Sequence, residues 1–304
     1  MNIKRKFLAL FIGLTLSFTV LAIDRPLLVL DAPNVAQLPK NFRSTEQSLS
    51  DIGNAEGLSP LHMFGSGQFS EKELQTVLKQ YSTAKPLVIV DLRQESHGFI
   101  NGDAISWMGL HNAANINKSS AEIEKNQQHS LAQISGQKIV VDKILTKNEG
   151  NILQVEPIVM EAKNVFSEET LAKQLNLSYT RFYTTDFTAP SNLQVERFLA
   201  WEKTLPKDSW VYFHCREGKG RTTTFMAMFD MMHNAKQVSF KDIMRRQEKL
   251  GGTDLLQSPK RSEIYKRPLA KERLEFLKKF YDYCKENQDN FQTTWIQWLK
   301  QGSK

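Results

Sequence analysis

The residues of this chain that could do chemistry are concentrated around Cys215 and Arg221, which lie six positions apart. They belong to the stretch Trp-Val-Tyr-Phe-His-Cys-Arg-Glu-Gly-Lys-Gly-Arg-Thr-Thr-Thr, residues 210–224. A cysteine thiolate is a nucleophile, and the planar fork of a guanidinium can hold two oxygens of a phosphate. The pair therefore predicts a site in which a thiolate attacks a phosphate that the arginine holds.

The residues around this pair predict a loop between a strand and a helix. Residues 210–213 are aromatic or β-branched, which favours a buried strand, and Gly218 and Gly220 interrupt it. A helix is predicted over residues 221–233. Backbone N–H groups at the first turn of a helix point into one concavity, and the helix dipole adds positive potential there. Such a concavity favours a dianion and also stabilises a thiolate.

With His214 before it and Thr222 after it, this stretch resembles the phosphate-binding loop of the cysteine-dependent phosphatases. A buried cysteine beside an ordinary turn is the alternative, but two glycines between a strand and a helix count against it. The resemblance implies that Cys215 forms a phosphocysteine and that the Thr222 hydroxyl hydrogen-bonds its sulfur. His214 is expected to hold the loop. The loop residues expected to bind substrate are Arg216, Glu217, Gly218, Lys219, Gly220 and Thr222.

A second polar segment follows the apolar run at residues 87–91, which suits a strand buried on both faces. Residues 91–102 are Asp-Leu-Arg-Gln-Glu-Ser-His-Gly-Phe-Ile-Asn-Gly. Open α/β sheets carry their sites directly after such strands, although an ordinary solvated loop is the alternative. The segment resembles, nearly residue for residue, the bacterial protein-tyrosine-phosphatase-like inositol polyphosphatases, or cysteine phytases. The resemblance implies that Arg93 and His97 bind substrate.

In this family a mobile loop upstream of the nucleophile carries an aspartate that protonates the leaving oxygen. The resemblance places it at Asp186 in Thr-Thr-Asp-Phe-Thr-Ala-Pro, residues 184–190. An aspartate that only forms a turn before a helix is the alternative. The family usually has histidine after the aspartate and an aromatic residue before the proline, whereas this chain has Phe187 and Ala189. That departure concerns substrate contacts rather than the acid.

Further residues are expected to bind or support a polyanion. Arg43, in Leu-Pro-Lys-Asn-Phe-Arg at residues 38–43, is expected to contact substrate, and Gln247 resembles a supporting Arg-Gln pair of the family. Arg216 and Lys219 stand where related phytases more often carry an acidic or neutral residue, and they resemble the loop of phosphoinositide 3-phosphatases. The basic residues Lys260, Arg261, Lys266 and Arg267 are either a solvated face or contacts to peripheral phosphates.

The family resemblance implies an α/β fold, with a cysteine-phosphatase-like central sheet flanked by helices. It also implies a small antiparallel partial β-barrel insert at about residues 117–164. Two β-like runs there, residues 138–145 and 152–160, are joined by an Asn-Glu-Gly turn, and no helical periodicity is evident. The catalytic domain is expected to span residues 23–304. Helices are predicted at residues 70–81, 167–175, 192–204, 239–251 and from 269 onward.

The first 22 residues predict a secretory signal peptide cleaved after Ala22. Their apolar run is shorter than the roughly 20 residues that span a membrane, so a transmembrane anchor is the weaker alternative. Export to the periplasm or medium, with no stable membrane anchor afterwards, is therefore expected. Removing the peptide's three cations lowers the net charge from +7 to +4, which suits an anionic substrate but does not argue for nucleic acid.

The two cysteines, Cys215 and Cys284, do not form the disulfide framework common in small exported domains. Cys284 lies at helical spacing from Leu277, Phe280 and Tyr281, which predicts a core position. A redox pair between the two cysteines is the alternative.

The sequence thus predicts an exported phosphomonoesterase of inositol polyphosphates that needs no cofactor and no metal. One alternative is a phosphoinositide, protein-tyrosine or dual-specificity phosphatase acting on the substrates of another cell. A second is a non-catalytic module that only binds phosphate. The presence of Cys215, Arg221 and Asp186 together counts against that module.

Overall fold

The computed structural model describes residues 26–47, 50–81, 85–260 and 263–302. The predicted signal peptide and Arg261 lie outside these residues. Within the described ranges, no helix is both long and apolar enough to cross a membrane. The strands are β1 (Leu27–Ala32), β2 (Arg43–Ser44), β3 (Met63–Ser66), β4 (Leu87–Arg93), β5 (His97–Ile100), β6 (Asp103–Met108), β7 (Lys138–Asn148), β8 (Asn151–Glu161), β9 (Val165–Phe166), β10 (Ser178–Thr184) and β11 (Trp210–His214).

The predicted helices at residues 70–81, 167–175, 192–204, 221–233, 239–251 and from 269 onward are present within a few residues of their predicted bounds, whereas the helices at residues 120–134 and 295–301 were not predicted. Ser70 caps the first helix through the capping box it forms with Glu73. The α-helices are α1 (Glu71–Gln80), α2 (Ser120–Ile134), α3 (Glu168–Gln174), α4 (Asn192–Glu202), α5 (Gly220–Asn234), α6 (Phe240–Lys249), α7 (Lys266–Glu286) and α8 (Trp295–Gln301).

The central sheet has the strand order β10-β4-β11-β3-β2, and its first four strands are parallel. β11 lies in the middle and is buried along its whole length. Its side chains alternate between faces, as strand geometry requires. Val211 and Phe213 pack in a core with α4 to α8, whereas Trp210 and Tyr212 pack in a core with α1 and α3.

Helix α5 follows β11 and is buried on nearly all sides. It is apolar around most of its circumference, which is typical of a helix enclosed by other elements. Phe225, Met228 and Phe229 contribute to the same core as Cys284 of α7. The predicted core position of Cys284 is thus confirmed, and both cysteines are free thiols. Because α5 is held on all sides, the loop that precedes it has a fixed frame.

A second sheet has the strand order β8-β7-β1-β6-β5-β9. The predicted antiparallel hairpin is present, since β7 pairs with β8 from Lys138 and Glu161 to Asn148 and Asn151. The hairpin is not an isolated unit, because β7 also pairs with β1 near the start of the described chain. The partial barrel stays a prediction. Strands β7 and β8, which were predicted as part of a separate insert, belong to one sheet with the strands within residues 27–32 and 97–108.

The expectation that no helix lies within residues 117–164 is wrong, because α2 occupies part of them. Its buried face consists of Ile123, Gln127 and Leu131 at intervals of four. With one polar residue among three, this face gives a weak hydrophobic periodicity. The better signal was the capping box between Ser119 and Glu122, which the structure contains.

Candidate active site

The loops that follow the four parallel strands meet at one edge of the central sheet. β3 ends at Ser66, β4 at Arg93, β10 at Thr184 and β11 at His214. Parallel strands place their carboxyl ends at the same edge, which is where open α/β sheets bind ligands. Cys215 is the first residue beyond β11. The candidate site is therefore assembled from segments far apart in sequence.

The Cys215 loop (residues 215–220) has three successive carbonyl groups turned away from its interior. Each accepts a hydrogen bond from another segment. The bonds run from Gln68 N to Arg216 O (3.1 Å), from Asn41 Nδ2 to Glu217 O (2.7 Å) and from Arg43 Nη1 to Gly218 O (2.8 Å). In a trans peptide the N–H lies opposite the carbonyl. The N–H groups of residues 217–219 therefore point into the loop, as a phosphate cradle requires.

Glycine is required at position 218 for two reasons. Gly218 has a φ of 71°, in the left-handed region, and a Cβ there would lie 2.3 Å from the backbone nitrogen of Gly67. The Cys215 loop consequently packs directly against the segment after β3. Gly220 is also crowded, since a Cβ would lie 3.0 Å from Arg273 Nη1.

Cys215 lies at the base of this loop, with only 2 % of its surface exposed. Thr222 Oγ1 donates a hydrogen bond to Cys215 Sγ at 3.1 Å. The same hydroxyl lies 3.3 Å from the Ser66 carbonyl, so its single proton has two acceptors within reach. A donor to sulfur stabilises the thiolate both before attack and when sulfur leaves phosphorus.

Arg221 is held by a bidentate ion pair with Glu95. Nη1 donates to Oε2 at 2.7 Å and Nη2 to Oε1 at 3.0 Å. Burial opposes the charge of both groups. Asp186 and Glu95 nevertheless raise the pKa of Arg221 above its ordinary value, and Arg221 and Arg93 hold the pKa of Glu95 well below its own. The Nε–H of Arg221 is buried and has no hydrogen-bond acceptor among the described residues. Asp186 Oδ1 lies 3.3 Å from this nitrogen, too poorly aligned for a hydrogen bond, so a bound phosphate oxygen could accept from this N–H in its place.

Asp186 lies beside this guanidinium, with Oδ1 at 3.3 Å from Arg221 Nε. Its Oδ2 accepts a hydrogen bond from Asn112 Nδ2 at 2.9 Å, and Oδ1 accepts one from the Phe187 N–H at 3.0 Å. The side chain is 15 % exposed, so it is accessible from the cleft. This position fits a proton donor to a phosphate that Arg221 holds.

The structure corrects the expected roles of Arg93 and His97, which are fully buried. Arg93 donates to Glu95 at 2.8 Å and pairs with Asp31 at 2.9 Å. His97 Nε2 lies 3.2 Å from a carboxylate oxygen of Asp91. The segment after β4 is therefore not a solvated loop but continues into the buried strand β5. Both residues support the site from behind instead of facing substrate.

Arg43 is also placed behind the Cys215 loop. It is 1 % exposed, and besides the Gly218 carbonyl it reaches Thr223 Oγ1 at 3.3 Å. Burial lowers the pKa of Arg43 to about 10, although the nearby Cys215 opposes this. We therefore revise its expected role from binding substrate to holding the loop.

His214 and Gln247, expected as supporting residues, lie beneath the site. His214 is fully buried, and its Nε2 lies 2.6 Å from Glu168 Oε1. Gln247 Nε2 donates to Asp230 Oδ2 at 2.9 Å between α6 and α5. Both side chains are fully buried, so a substrate could not reach them, and their supporting role stays a prediction.

The charged residues of the Cys215 loop differ in whether their side chains are free to bind a substrate. Arg216 is bound on two sides, by Asp31 Oδ1 at 2.7 Å and by Glu217 Oε1 at 3.0 Å. Glu217 also pairs with Lys40 at 2.6 Å. Lys219 is exposed. The charge of Arg216 is therefore largely neutralised within the protein, while Lys219 can move to meet a ligand.

Three cations lie at the mouth of the site, and of these only Lys266 was named from the sequence, as part of the basic cluster, whereas Lys147 and Arg273 were not predicted. Lys147 projects from the end of β7, and the charges acting on it include those of Arg216 and Asp186. Lys266 Nζ lies 4.4 Å from the ring centre of Phe187. Arg273 donates to the Phe187 carbonyl at 3.3 Å. No local sequence pattern marks Lys147 or Arg273, because the β7–β8 hairpin and helix α7 bring them to the site.

The predicted basic cluster is only partly at the site. Lys266 faces Phe187, whereas Lys260 and Arg267 are exposed. Among the residues that the structure describes, no group of three or more His, Cys, Asp or Glu side chains is arranged to hold a metal ion.

Comparisons with known proteins agree with this geometry. The family model of protein-tyrosine-phosphatase-like phytases matches residues 90–233, and the description of that family names inositol hexakisphosphate. A phytase structure from Bdellovibrio bacteriovorus is 33 % identical, with a TM-score of 0.72, over 90 % of this chain and 95 % of that one. A myo-inositol phosphatase from Mitsuokella multacida, solved with myo-inositol-(1,3,4,5)-tetrakisphosphate, is 34 % identical, with a TM-score of 0.81, over 90 % of this chain and 49 % of that one.

Similarity also extends to a bacterial effector. The effector protein hopD2 of Pseudomonas syringae pv. tomato is 29 % identical over 80 % of this chain and 52 % of its own length. The chain therefore spans about half the length of this relative and of the Mitsuokella phosphatase.

Proposed function

Because this chain belongs to the protein-tyrosine-phosphatase-like phytase family, we propose that it is a phosphatase that removes phosphate from inositol polyphosphates. The observation that carries the proposal is the arrangement of the Cys215 loop. Its inward N–H groups, the Arg221 guanidinium and the sulfur of Cys215 converge where a phosphate would sit. Asp186 lies beside that position.

The geometry supports a two-step transfer. In the first step Cys215 Sγ attacks phosphorus, the bond to the ester oxygen breaks, and Asp186 gives that oxygen a proton. The loop N–H groups and Arg221 stabilise the charge on the remaining phosphate oxygens. In the second step water attacks phosphorus, Asp186 takes a proton from the water, and the sulfur–phosphorus bond breaks. Thr222, whose hydroxyl donates to the sulfur, stabilises the departing thiolate.

The cations around the mouth favour a substrate with several phosphates. Lys147 of β7, Lys219 of the Cys215 loop, and Lys266 and Arg273 of α7 come from three different segments and surround the Cys215 loop or the Asp186 segment. Each additional phosphate on a ring could gain a charge-assisted contact with one of them. A single phosphotyrosine uses only the central cradle.

Lys147 provides a test with a pH dependence. Loss of water around its ammonium and the charge of Arg216 lower the pKa of Lys147 to about 8. Its charge is therefore present below about pH 8 and is lost above it. We expect Lys147→Gln to raise KM for inositol hexakisphosphate about two- to fivefold at pH 7, since an exposed ion pair contributes up to about 1 kcal/mol. The difference from wild type should disappear by pH 9.

Lys143→Gln is the matched control, because Lys143 lies on the same hairpin and pairs with Glu156 at 3.1 Å. Its KM should equal that of wild type at both pH values. If Lys147→Gln left KM unchanged at pH 7, Lys147 would not contact the substrate.

Substrate class is tested by phosphate release from singly to fully phosphorylated inositols, phosphoinositide head groups and phosphotyrosine peptides. We expect kcat/KM to rise with the number of phosphates, and added salt to flatten this order mainly through KM, because salt screens exposed charges. Lys219→Ala should weaken hexakisphosphate turnover more than monophosphate turnover. Peptides that match the inositol series at low salt would contradict the inositol assignment. Failure to hydrolyse a generic aryl phosphate would favour the non-catalytic alternative.

Export is a separate part of the proposal and rests on the charged, apolar and small-residue pattern of residues 1–22. Expression of the full chain in a bacterium, followed by fractionation and N-terminal sequencing, tests it. A mature chain that begins at Ile23 outside the cytoplasm is expected. A cytoplasmic chain that keeps its first residues would contradict export.

A further inference from the structure

The segment that carries Asp186 is held by a chain of ring contacts that reaches the tip of the β7–β8 hairpin. The ring of Phe187 meets that of Tyr265 edge to face, with centroids 5.8 Å apart and planes at 89°. Tyr265 stacks on His111, with centroids 4.2 Å apart and planes at 10°. His111 Nε2 lies 3.0 Å from the Glu149 carbonyl, which can only accept a hydrogen bond, so Nε2 carries the proton.

The hairpin tip also closes over the stack itself. A Cβ at Gly150 would lie 2.1 Å from His111 Cδ2 and 3.1 Å from Tyr265 Cζ. The backbone of Gly150, with a φ of 80°, therefore contacts both rings at a distance that only glycine permits. Four segments far apart in sequence meet at this point: the hairpin, residues 110–112, residues 263–265 and the Asp186 segment.

The two ends of this contact chain have an uncommon backbone conformation. Phe187 has a φ of 67° and His111 a φ of 52°, both in the left-handed region that non-glycine residues rarely adopt. Such conformations persist where the surrounding structure over-determines them. At both residues the ring contacts supply that constraint.

The contacts converge on the position of Asp186. Asn112 directly follows His111, and its Nδ2 donates to Asp186 Oδ2 at 2.9 Å. The Asp186 carboxylate is thus tied to the segment that His111 anchors, while the residue after it packs on Tyr265. A movement of the His111 ring would therefore reach the Asp186 carboxylate through Asn112, and a movement of the Tyr265 ring would reach it through Phe187.

We propose that Phe187, Tyr265 and His111 form an aromatic latch that fixes Asp186 where it delivers its proton to the leaving oxygen. The inference rests on the proposed function, since it concerns proton transfer in that reaction. The three residues are positioning residues, because they act through Asp186.

Thr222 holds the thiolate, and the bidentate pair with Glu95 holds Arg221. Asn112 also donates to Glu95 Oε1 at 2.9 Å, but this is one contact among several to that carboxylate. Loss of the latch is therefore expected to affect proton delivery much more than the attack by sulfur.

This selectivity gives a specific test with Tyr265→Ala. We expect its kcat to fall by up to about 100-fold with an alkyl phosphate such as an inositol phosphate, because misplacing a catalytic group by about 1 Å can cost that much. With p-nitrophenyl phosphate, whose leaving group needs little protonation, the rate of the first turnover, measured as the burst of p-nitrophenol before the phosphocysteine is hydrolysed, should change little. Tyr265→Phe keeps both ring contacts and should behave like wild type.

Three further measurements exclude a general structural effect. His111→Ala should show the same selective loss, and it also serves if Tyr265→Ala melts below the assay temperature. Adding Tyr265→Ala to Asp186→Asn should cause no further loss with the alkyl ester, because the proton it positions is gone. Phe240→Ala is the matched control, since Phe240 makes an edge contact of 5.7 Å with Tyr281 between α6 and α7. Its rates with the two esters should change by the same factor.

The outcomes separate this inference from the proposed function. If wild type hydrolyses neither ester, both fail. If wild type is active and Asp186→Asn is selective for the alkyl ester, but the Tyr265 and His111 variants lose both activities equally or neither, the latch is wrong and the proposed function stands. A full further loss in the Asp186→Asn background would also overturn the latch.

Discussion

Replacing Cys215 by serine is expected to reduce turnover to below about one per cent of wild type for every substrate, because a hydroxyl is a far weaker nucleophile at neutral pH. The cradle should survive, since serine differs at one atom and the loop carbonyls keep their partners Gln68, Asn41 and Arg43. Substrate should therefore still bind. Initial-rate assays with both alkyl and aryl phosphates, together with calorimetric binding of inositol hexakisphosphate, measure the two effects.

Cys284→Ser is the matched control, because Cys284 is the other free thiol and lies in the core beside α5. That variant should keep its activity per folded molecule, even though a buried hydroxyl lowers stability. Acid quenching of wild type during turnover should trap one phosphoryl group on Cys215, identifiable by peptide mass spectrometry. Activity of Cys215→Ser above about one per cent would contradict covalent catalysis by this residue.

The Cys215 loop could be predicted from sequence because its determinants are local. A strand, a cysteine, two glycines and a helix follow one another within residues 210–234, and each constrains its neighbour. The glycine at 218 shows the limit of that reasoning. The sequence predicts a turn there, but the clash of a Cβ with Gly67 involves the segment after β3, 151 positions earlier, and is visible only in the fold.

The expected roles of Arg43, Arg93 and His97 needed correction. A sequence shows that a side chain is charged, but it does not show whether that side chain points toward the substrate or away from it. An arginine near a phosphate site can face the ligand or brace the loop behind it. The orientation of the arginine depends on whether carboxylate or carbonyl oxygens lie behind the phosphate-binding loop to accept its hydrogen bonds. Here Asp31 and Glu95 take the Arg93 guanidinium, and the Gly218 carbonyl takes that of Arg43. Glu95 is the one of these partners that is a sequence neighbour of its arginine, Arg93, whereas Asp31 and Gly218 lie far along the chain from Arg93 and Arg43.

Lys147 is the opposite case, because the fold places it at the site although nothing in the sequence around it predicts a role there. It follows a β-like run and looks like any solvated strand end. The β7–β8 hairpin brings it within the electrostatic range of Asp186 and Arg216, which are 39 and 69 positions away in the sequence. The hairpin itself was predictable, but its direction depends on the pairing of β7 with β1, which joins residues more than 100 positions apart.

Asp186→Asn is expected to lower kcat with inositol phosphates by roughly 10²- to 10⁴-fold, the usual contribution of a positioned acid. The amide keeps the size of the side chain but has no proton to give an alkoxide leaving group. Removing its charge also leaves Arg221 paired with Glu95 alone, so the guanidinium should stay in place. With p-nitrophenyl phosphate the loss should be much smaller in the first step, because that leaving group departs without protonation.

The second step of the reaction provides the internal check. Asp186 is also expected to activate the water that hydrolyses the phosphocysteine, so with the aryl ester Asp186→Asn should release a burst of p-nitrophenol and then slow. Asp289→Asn is the control, because Asp289 Oδ2 accepts hydrogen bonds from the backbone N–H and the hydroxyl of Thr293, ahead of α8, and not from the residues that form the Cys215 loop. It should alter neither phase. Equal losses with alkyl and aryl esters, without a burst, would show that Asp186 transfers no proton, and the donor would have to be another group at the carboxyl edge of the central sheet.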